Sequence, residues 1–229
     1  MLVLLLGGCA SYQESPKYQF SEGIYRQRFS DSLTSRVYVD FNEEQLLLFP
    51  LQSVSDTWQP DTSRVVALDL PKERQQALPA TLSFSKPSFD LDVLTMPFKF
   101  RPSAGGLPAQ LNTNFQGALY LGMRRDVFKI NYKPTPLQNY RKHFNHFGYS
   151  LGLFTGLGSS VVNETVTNNQ VSYEYDGVLF SNGIGAVLGV NNLSIGLAVG
   201  ADFLMDSNRS SWVYQRKPWV GLAFGLNLN

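Results

Sequence analysis

The run that decides the fold closes the chain: Trp219-Val220-Gly221-Leu222-Ala223-Phe224-Gly225-Leu226-Asn227-Leu228-Asn229. Successive side chains on a β-strand point to opposite faces. One face of this run is therefore Trp219, Gly221, Ala223, Gly225, Asn227 and Asn229, and the other is Val220, Leu222, Phe224, Leu226 and Leu228. The same two-faced design recurs upstream. Ser194, Gly196, Ala198, Gly200 and Asp202 alternate with Leu193, Ile195, Leu197 and Val199, and Gly183, Gly185, Val187 and Gly189 alternate with Ile184, Ala186, Leu188 and Val190. From Phe147 the pattern sets Gly148, Ser150 and Gly152 against Tyr149, Leu151 and Leu153. Polar segments separate these runs: Asn163 to Asn169, Val190-Asn191-Asn192, and Asp206 to Arg209.

The small face is the informative one. A solvated strand face normally carries Lys, Glu, Thr and Arg, and glycine at alternate positions weakens a strand unless something must approach closely. No charged residue occurs from Gly177 through Ala201. In a narrow membrane barrel both faces have a cause. Apolar side chains meet lipid, and small residues fit the lumen. Closure of the barrel then satisfies every backbone group where water is absent. The alternative is a soluble β-sandwich or a lipocalin-like module with its Leu/Val/Ile face turned inward.

Composition agrees with the membrane reading. Charged residues make up 16% of the 229, against roughly 25% in soluble domains. The net charge is +1, which supplies no bulk field for nucleic acid. No apolar run is long enough for a membrane helix, so strands would have to do the spanning.

Further upstream the strands are shorter. Arg36 to Phe41 and Gln45 to Leu51, joined at Asn42-Glu43-Glu44, form a hairpin pattern. Arg64 to Pro71 and Thr81 to Ser85 are further strands. Ser53 to Ser63 is a loop by composition, and Lys72 to Ala77 a helical turn. Leu91 to Arg101 is strand-like, with Pro97 demanding an edge or a bend. Pro102 to Asn114 reads as a loop, as does Lys133 to Asn145. Ala118 to Arg124 and Val127 to Tyr132 read as two strands with a turn near Arg125-Asp126. Tyr149, Phe180, Phe203, Trp212, Tyr214 and Trp219 fall near strand ends, where an aromatic girdle belongs.

The resulting expectation is an all-β chain: a small antiparallel up-and-down barrel of about eight strands over residues 89–229. A short β-rich region, residues 36–88, precedes it. If the strands up to Ser85 join, the barrel has ten to twelve. An eight-stranded barrel is filled by side chains, so an open pore is the lesser variant.

The beginning of the chain carries a resemblance. Leu2-Val3-Leu4-Leu5-Leu6 leads into Gly7-Gly8-Cys9-Ala10-Ser11. Leu6-Gly7-Gly8-Cys9 resembles the lipobox of bacterial lipoprotein signal peptides. The resemblance implies cleavage before Cys9, lipidation of Cys9 and a polar tether over residues 9–35. With residues 1–8 as signal peptide, the short apolar run implies a start codon placed too far downstream. Several acyl chains would anchor the protein stably. Ala10 and Ser11 look like the outer-membrane version of such signals, so the expected location is the outer membrane of a Gram-negative bacterium. The expected partners are its lipids and other envelope proteins. Ending the chain within a strand also looks like outer-membrane barrels, although Asn229 stands where an aromatic residue is common.

Chemistry is thin. His143 and His146 could pair as metal ligands, but they lack a further ligand at suitable spacing and lie on opposite faces of a strand. Ser150 with His146 and Asp126 or Glu174 could make a lipid-hydrolysing set, yet nothing in the spacing holds them together. Arg124, Arg125, Asp126, Asp176 and Asp202 fit lumen charges paired with one another, or loop residues. Gly152 to Gly158 lacks the Lys-Ser/Thr of a phosphate loop. The expectation is a non-enzymatic protein without a catalytic, metal or cofactor site.

Overall fold

A computed structural model describes residues 20–29, 33–41, 45–54, 56–68, 82–134, 136, 140–190 and 193–227. The expected signal peptide, Cys9 and the turn at Lys72 to Ala77 lie outside the described residues. Among the described residues twelve strands form one antiparallel sheet: β1 Gly23–Phe29, β2 Leu33–Phe41, β3 Leu46–Val54, β4 Thr57–Pro60, β5 Val66–Leu68, β6 Leu82–Arg101, β7 Gln110–Asn112, β8 Gln116–Pro134, β9 Tyr140–Val162, β10 Tyr175–Val190, β11 Leu193–Leu204 and β12 Pro218–Asn227. Among the described residues there is no α-helix.

The strands β6, β8, β9, β10, β11 and β12 pair in that order, and β12 pairs back onto β6, so the sheet closes into a ring. The barrel is therefore real and up-and-down. The closed ring uses six of the twelve strands. The expected turn at Arg125-Asp126 is instead the middle of β8, which runs unbroken beside β6 and β9. That dipeptide has no Gly or Pro to break a strand, and both neighbouring strands supply partners. The segments expected as loops hold short strands: β4 folds back on β3, and β7 pairs with the end of β6.

The N-terminal strands extend the same sheet. β1 pairs with β6 at Ser83 to Ser85, on the same side as β12, which pairs with β6 only from Asp92 onward. β2, β3 and β5 follow β1. β6 thus crosses residue 88, where the β-rich region was expected to end. β1 lies within the segment expected as tether.

Two levels result. In the upper level the ring closes, and loops 102–115, 163–174 and 205–217 cap it. In the lower level β6, β8 and β9 continue past the ring and join β1, β2 and β3. Their inward side chains form an ordinary apolar core of Tyr25, Val37, Val39, Leu46, Phe84, Phe128 and Ile130, all buried.

Candidate functional site

The ring is apolar outside, and its inward face combines small residues and paired charges with one layer of large apolar side chains. Every outward position that the alternation assigns to the greasy face at Tyr149, Leu151, Leu153, Ile184, Leu188, Ile195, Leu197, Val199 and Val220 is exposed. Met123 is 85% exposed and Leu151 66%. Gly185, Val187, Ser194, Ala198, Asp202, Trp219 and Ala223 are buried inside. This is the reverse of the inward-facing Leu/Val/Ile face that a soluble sandwich requires.

The narrowness of a six-stranded ring explains the small face. A Cβ on Gly183 would stand 2.2 Å from the Val199 carbonyl oxygen and 2.8 Å from the Phe154 ring. One on Gly152 would stand 2.1 Å from the Leu121 carbonyl oxygen. The two carbonyl oxygens belong to ladder backbone that cannot retreat without breaking hydrogen bonds, so glycine is required at both positions.

The lumen is packed in layers. At mid-height Leu94, Met96, Tyr120, Phe154, Ala198 and Trp219 fill it with apolar bulk. Above them Asp202 accepts from Lys99 Nζ at 3.0 Å, Arg101 Nη2 at 2.5 Å and Trp219 Nε1 at 2.8 Å, and from the Ser181 hydroxyl. The Arg101 guanidinium sits 4.9 Å from the ring centroids of both Trp212 and Tyr214. Those rings close the upper end with Val162, Leu179 and Leu204. Below the apolar layer Asp126 accepts from Arg124 Nε at 2.7 Å and from Ser88, and meets His146 Nε2 at 2.8 Å. Arg124 also lies 3.6 Å from Asp90. Buried charges persist when paired, and each of these cations has a carboxylate partner; Arg101 Nε and Nη1, without a hydrogen bond among the described residues, face the Trp212 and Tyr214 rings instead.

The candidate residues of the sequence separate accordingly. Arg124, Asp126 and Asp202 are paired lumen charges. Arg125 and Asp176 are exposed outside the lumen. His146 is buried and His143 is exposed, on opposite faces of β9. No group of residues suited to a metal exists among the described residues. Ser150 shares its hydroxyl contact with Tyr120, at 3.0 Å. Glu174 is exposed and takes a hydrogen bond from Asn163 at the upper end, whereas His146 lies near the lower end of β9.

Lys99 and Arg101 were not legible as lumen residues, and Pro97 explains why. Leu222 pairs with Phe98 while Phe224 pairs with Thr95, so Met96 and Pro97 together oppose Ala223. This bulge adds one residue and flips the faces. Met96 points in, and so do Lys99 and Arg101, leaving Phe98 and Phe100 exposed outside. A bend at Pro97 was expected; its effect on the parity of the strand is the missing step. Trp212, Tyr214 and Trp219, expected in an outer girdle, are buried inside, because the loop at 205–217 folds over the ring and β12 turns Trp219 toward Asp202.

Comparison with protein-family models, with curated proteins and with solved structures found no match.

Proposed function

We propose that this protein is a non-enzymatic outer-membrane lipoprotein of a Gram-negative bacterium, anchored by lipid on Cys9 and by its own ring of strands. It serves as a structural or accessory subunit of an envelope complex. One observation carries the reading: the outward face changes character along single strands. On β8 the outward residues are Leu119, Leu121 and Met123, then Arg125, Val127, Lys129 and Asn131; the inward residues pass from Arg124 and Asp126 to Phe128 and Ile130. A soluble protein has no reason to keep an apolar wall outside one half of a strand and an apolar core inside the other. A bilayer that ends near Arg125 supplies that reason. From Tyr149 to Leu157 the wall spans roughly nine residues, about what a tilted strand needs to cross the hydrocarbon.

Loop lengths support an orientation. The lower connections between ring strands, Pro134 to Tyr140 and Val190 to Leu193, are short, and the upper loops are long. Short turns face the periplasm in outer-membrane barrels; in the proposed orientation β1 to β5 are periplasmic, the side on which a lipidated Cys9 would also lie. The filled lumen favours a structural role over a pore.

The test is extraction. The protein should fractionate with the outer membrane, resist carbonate, and migrate differently on gels with and without heating. A Cys9→Ala form should still insert. Its release by carbonate or mild urea would instead support a soluble module held only by its lipid. Single-channel recordings should show no conductance.

A further inference from the structure

We infer that the outer wall carries a binding site for the phosphate of an anionic membrane-lipid headgroup, in a cleft just below the apolar belt. The inference rests on the reading that the belt lies in a bilayer. The cleft encloses about 480 Å³, and its cations are Arg26, Arg28, Arg125 and Lys129. Among the described residues no carboxylate lines it; its other polar groups are Thr34, Ser83, Ser85 and Tyr149. In a chain of net charge +1, four cations in one cleft are a local concentration. Among the described residues none of the four has a salt bridge, whereas the lumen cations Lys99, Arg101 and Arg124 do.

The strand register builds the cradle. Arg26 pairs with Ser85 and Arg28 with Ser83 across β1 and β6. On the other side of β6, Ser83 pairs with Lys129 and Ser85 with Val127. Two serine hydroxyls therefore lie in a trough with cations on both banks. Neighbouring strands are about 4.8 Å apart, so the banks are roughly 10 Å apart. Long side chains from each bank can close on one phosphate group across that distance, and guanidinium groups suit its oxygens in bidentate fashion.

Position selects a lipid as the occupant. Arg125 stands opposite Tyr149, and the next outward pair is Met123 and Leu151 of the belt. A phosphate held here would leave its acyl chains against Leu121, Met123 and Leu151. Phe147, with Lys129 Nζ 5.4 Å from its ring centroid, and Tyr149 supply aromatic rings at the same level, where membrane barrels place interfacial side chains.

The experiment measures lipid binding to the full chain in detergent micelles, by native mass spectrometry with added phosphatidylglycerol or phosphatidylcholine. The expected preference for phosphatidylglycerol is about tenfold or more, given four cations at a membrane surface. Arg28→Gln with Lys129→Gln should reduce the preference to about twofold or less, and Arg28→Lys with Lys129→Arg should keep it. Arg64→Gln with Arg209→Gln, exposed cations elsewhere, should leave it intact. The heat-dependent gel shift reports that each variant is folded. An unchanged preference in Arg28→Gln with Lys129→Gln overturns the site. So does full competition by excess inorganic phosphate, which would mean a site for the free anion. Because binding in micelles does not require insertion, a protein that binds but is extracted by carbonate sinks the membrane reading alone. One that inserts without lipid preference sinks only this site.

Discussion

The upper ring and the lower sheet share β6, β8 and β9, yet they are built inside-out relative to each other. In the ring the outer face is apolar on every strand, while glycine, serine and paired charges face inward around one apolar layer of Leu94, Met96, Tyr120, Phe154 and Trp219. In the lower sheet Phe84, Phe128 and Ile130 face inward, and Ser83, Ser85 and Lys129 face outward. Both levels have the same backbone ladder and the same period of two. The difference teaches that alternation specifies a strand and its two faces, while the solvent on each side decides which face is apolar. The junction lies between Met123 and Arg125; the Asp202 cluster is buried within the ring and the Asp126 cluster is buried at the junction itself.

The largest effect should come from one of the ring's tightest contacts. Gly183→Leu would drive a side chain into the Val199 carbonyl and the Phe154 ring, and should abolish the folded, heat-shiftable form on gels. Next, Asp202→Ala would leave Lys99 and Arg101 buried together without their carboxylate. Removing one partner of a buried pair costs about 3–5 kcal/mol, which urea unfolding of refolded protein should register. A third substitution probes the outside: Leu197→Arg on the belt should cost about 2–4 kcal/mol in lipid bilayers and far less in a soluble module. The smallest effect marks the other side of the junction. Val127→Thr, outward in the lower sheet, should change stability by about 0.5 kcal/mol or less. Equal costs for Leu197→Arg and an outward charge in the lower sheet would erase the proposed bilayer boundary.

Much of the ring was legible in the chain. The faces of β9 to β12 follow residue by residue from alternation, and the glycines at 183 and 200 announced a tight interior before any contact was known. Beyond that the signal fades for identifiable reasons. The polar Arg125-Asp126 pair looks like a turn, because nothing local shows that β9 will pair alongside and bring His146 to Asp126, which Arg124 already holds on the same face of β8. Lys99 and Arg101 look like outward residues until the bulge at Pro97 is placed against Ala223. Trp212 and Tyr214 look like girdle aromatics until their loop folds inward over Arg101.

By itself the sequence determined that this is an all-β chain of two-faced strands, because side-chain period and residue size are local properties. It also supplies Cys9 and its lipobox resemblance, on which the anchoring proposal rests. Only the tertiary structure decided that six strands close the ring, that β1 to β5 extend the same sheet, and that the charges pair within it. Those outcomes depend on register and on which distant strand reaches an open edge. Such choices arise from hydrogen bonding between segments far apart in the chain, as between β12 and β6, and no local pattern encodes them.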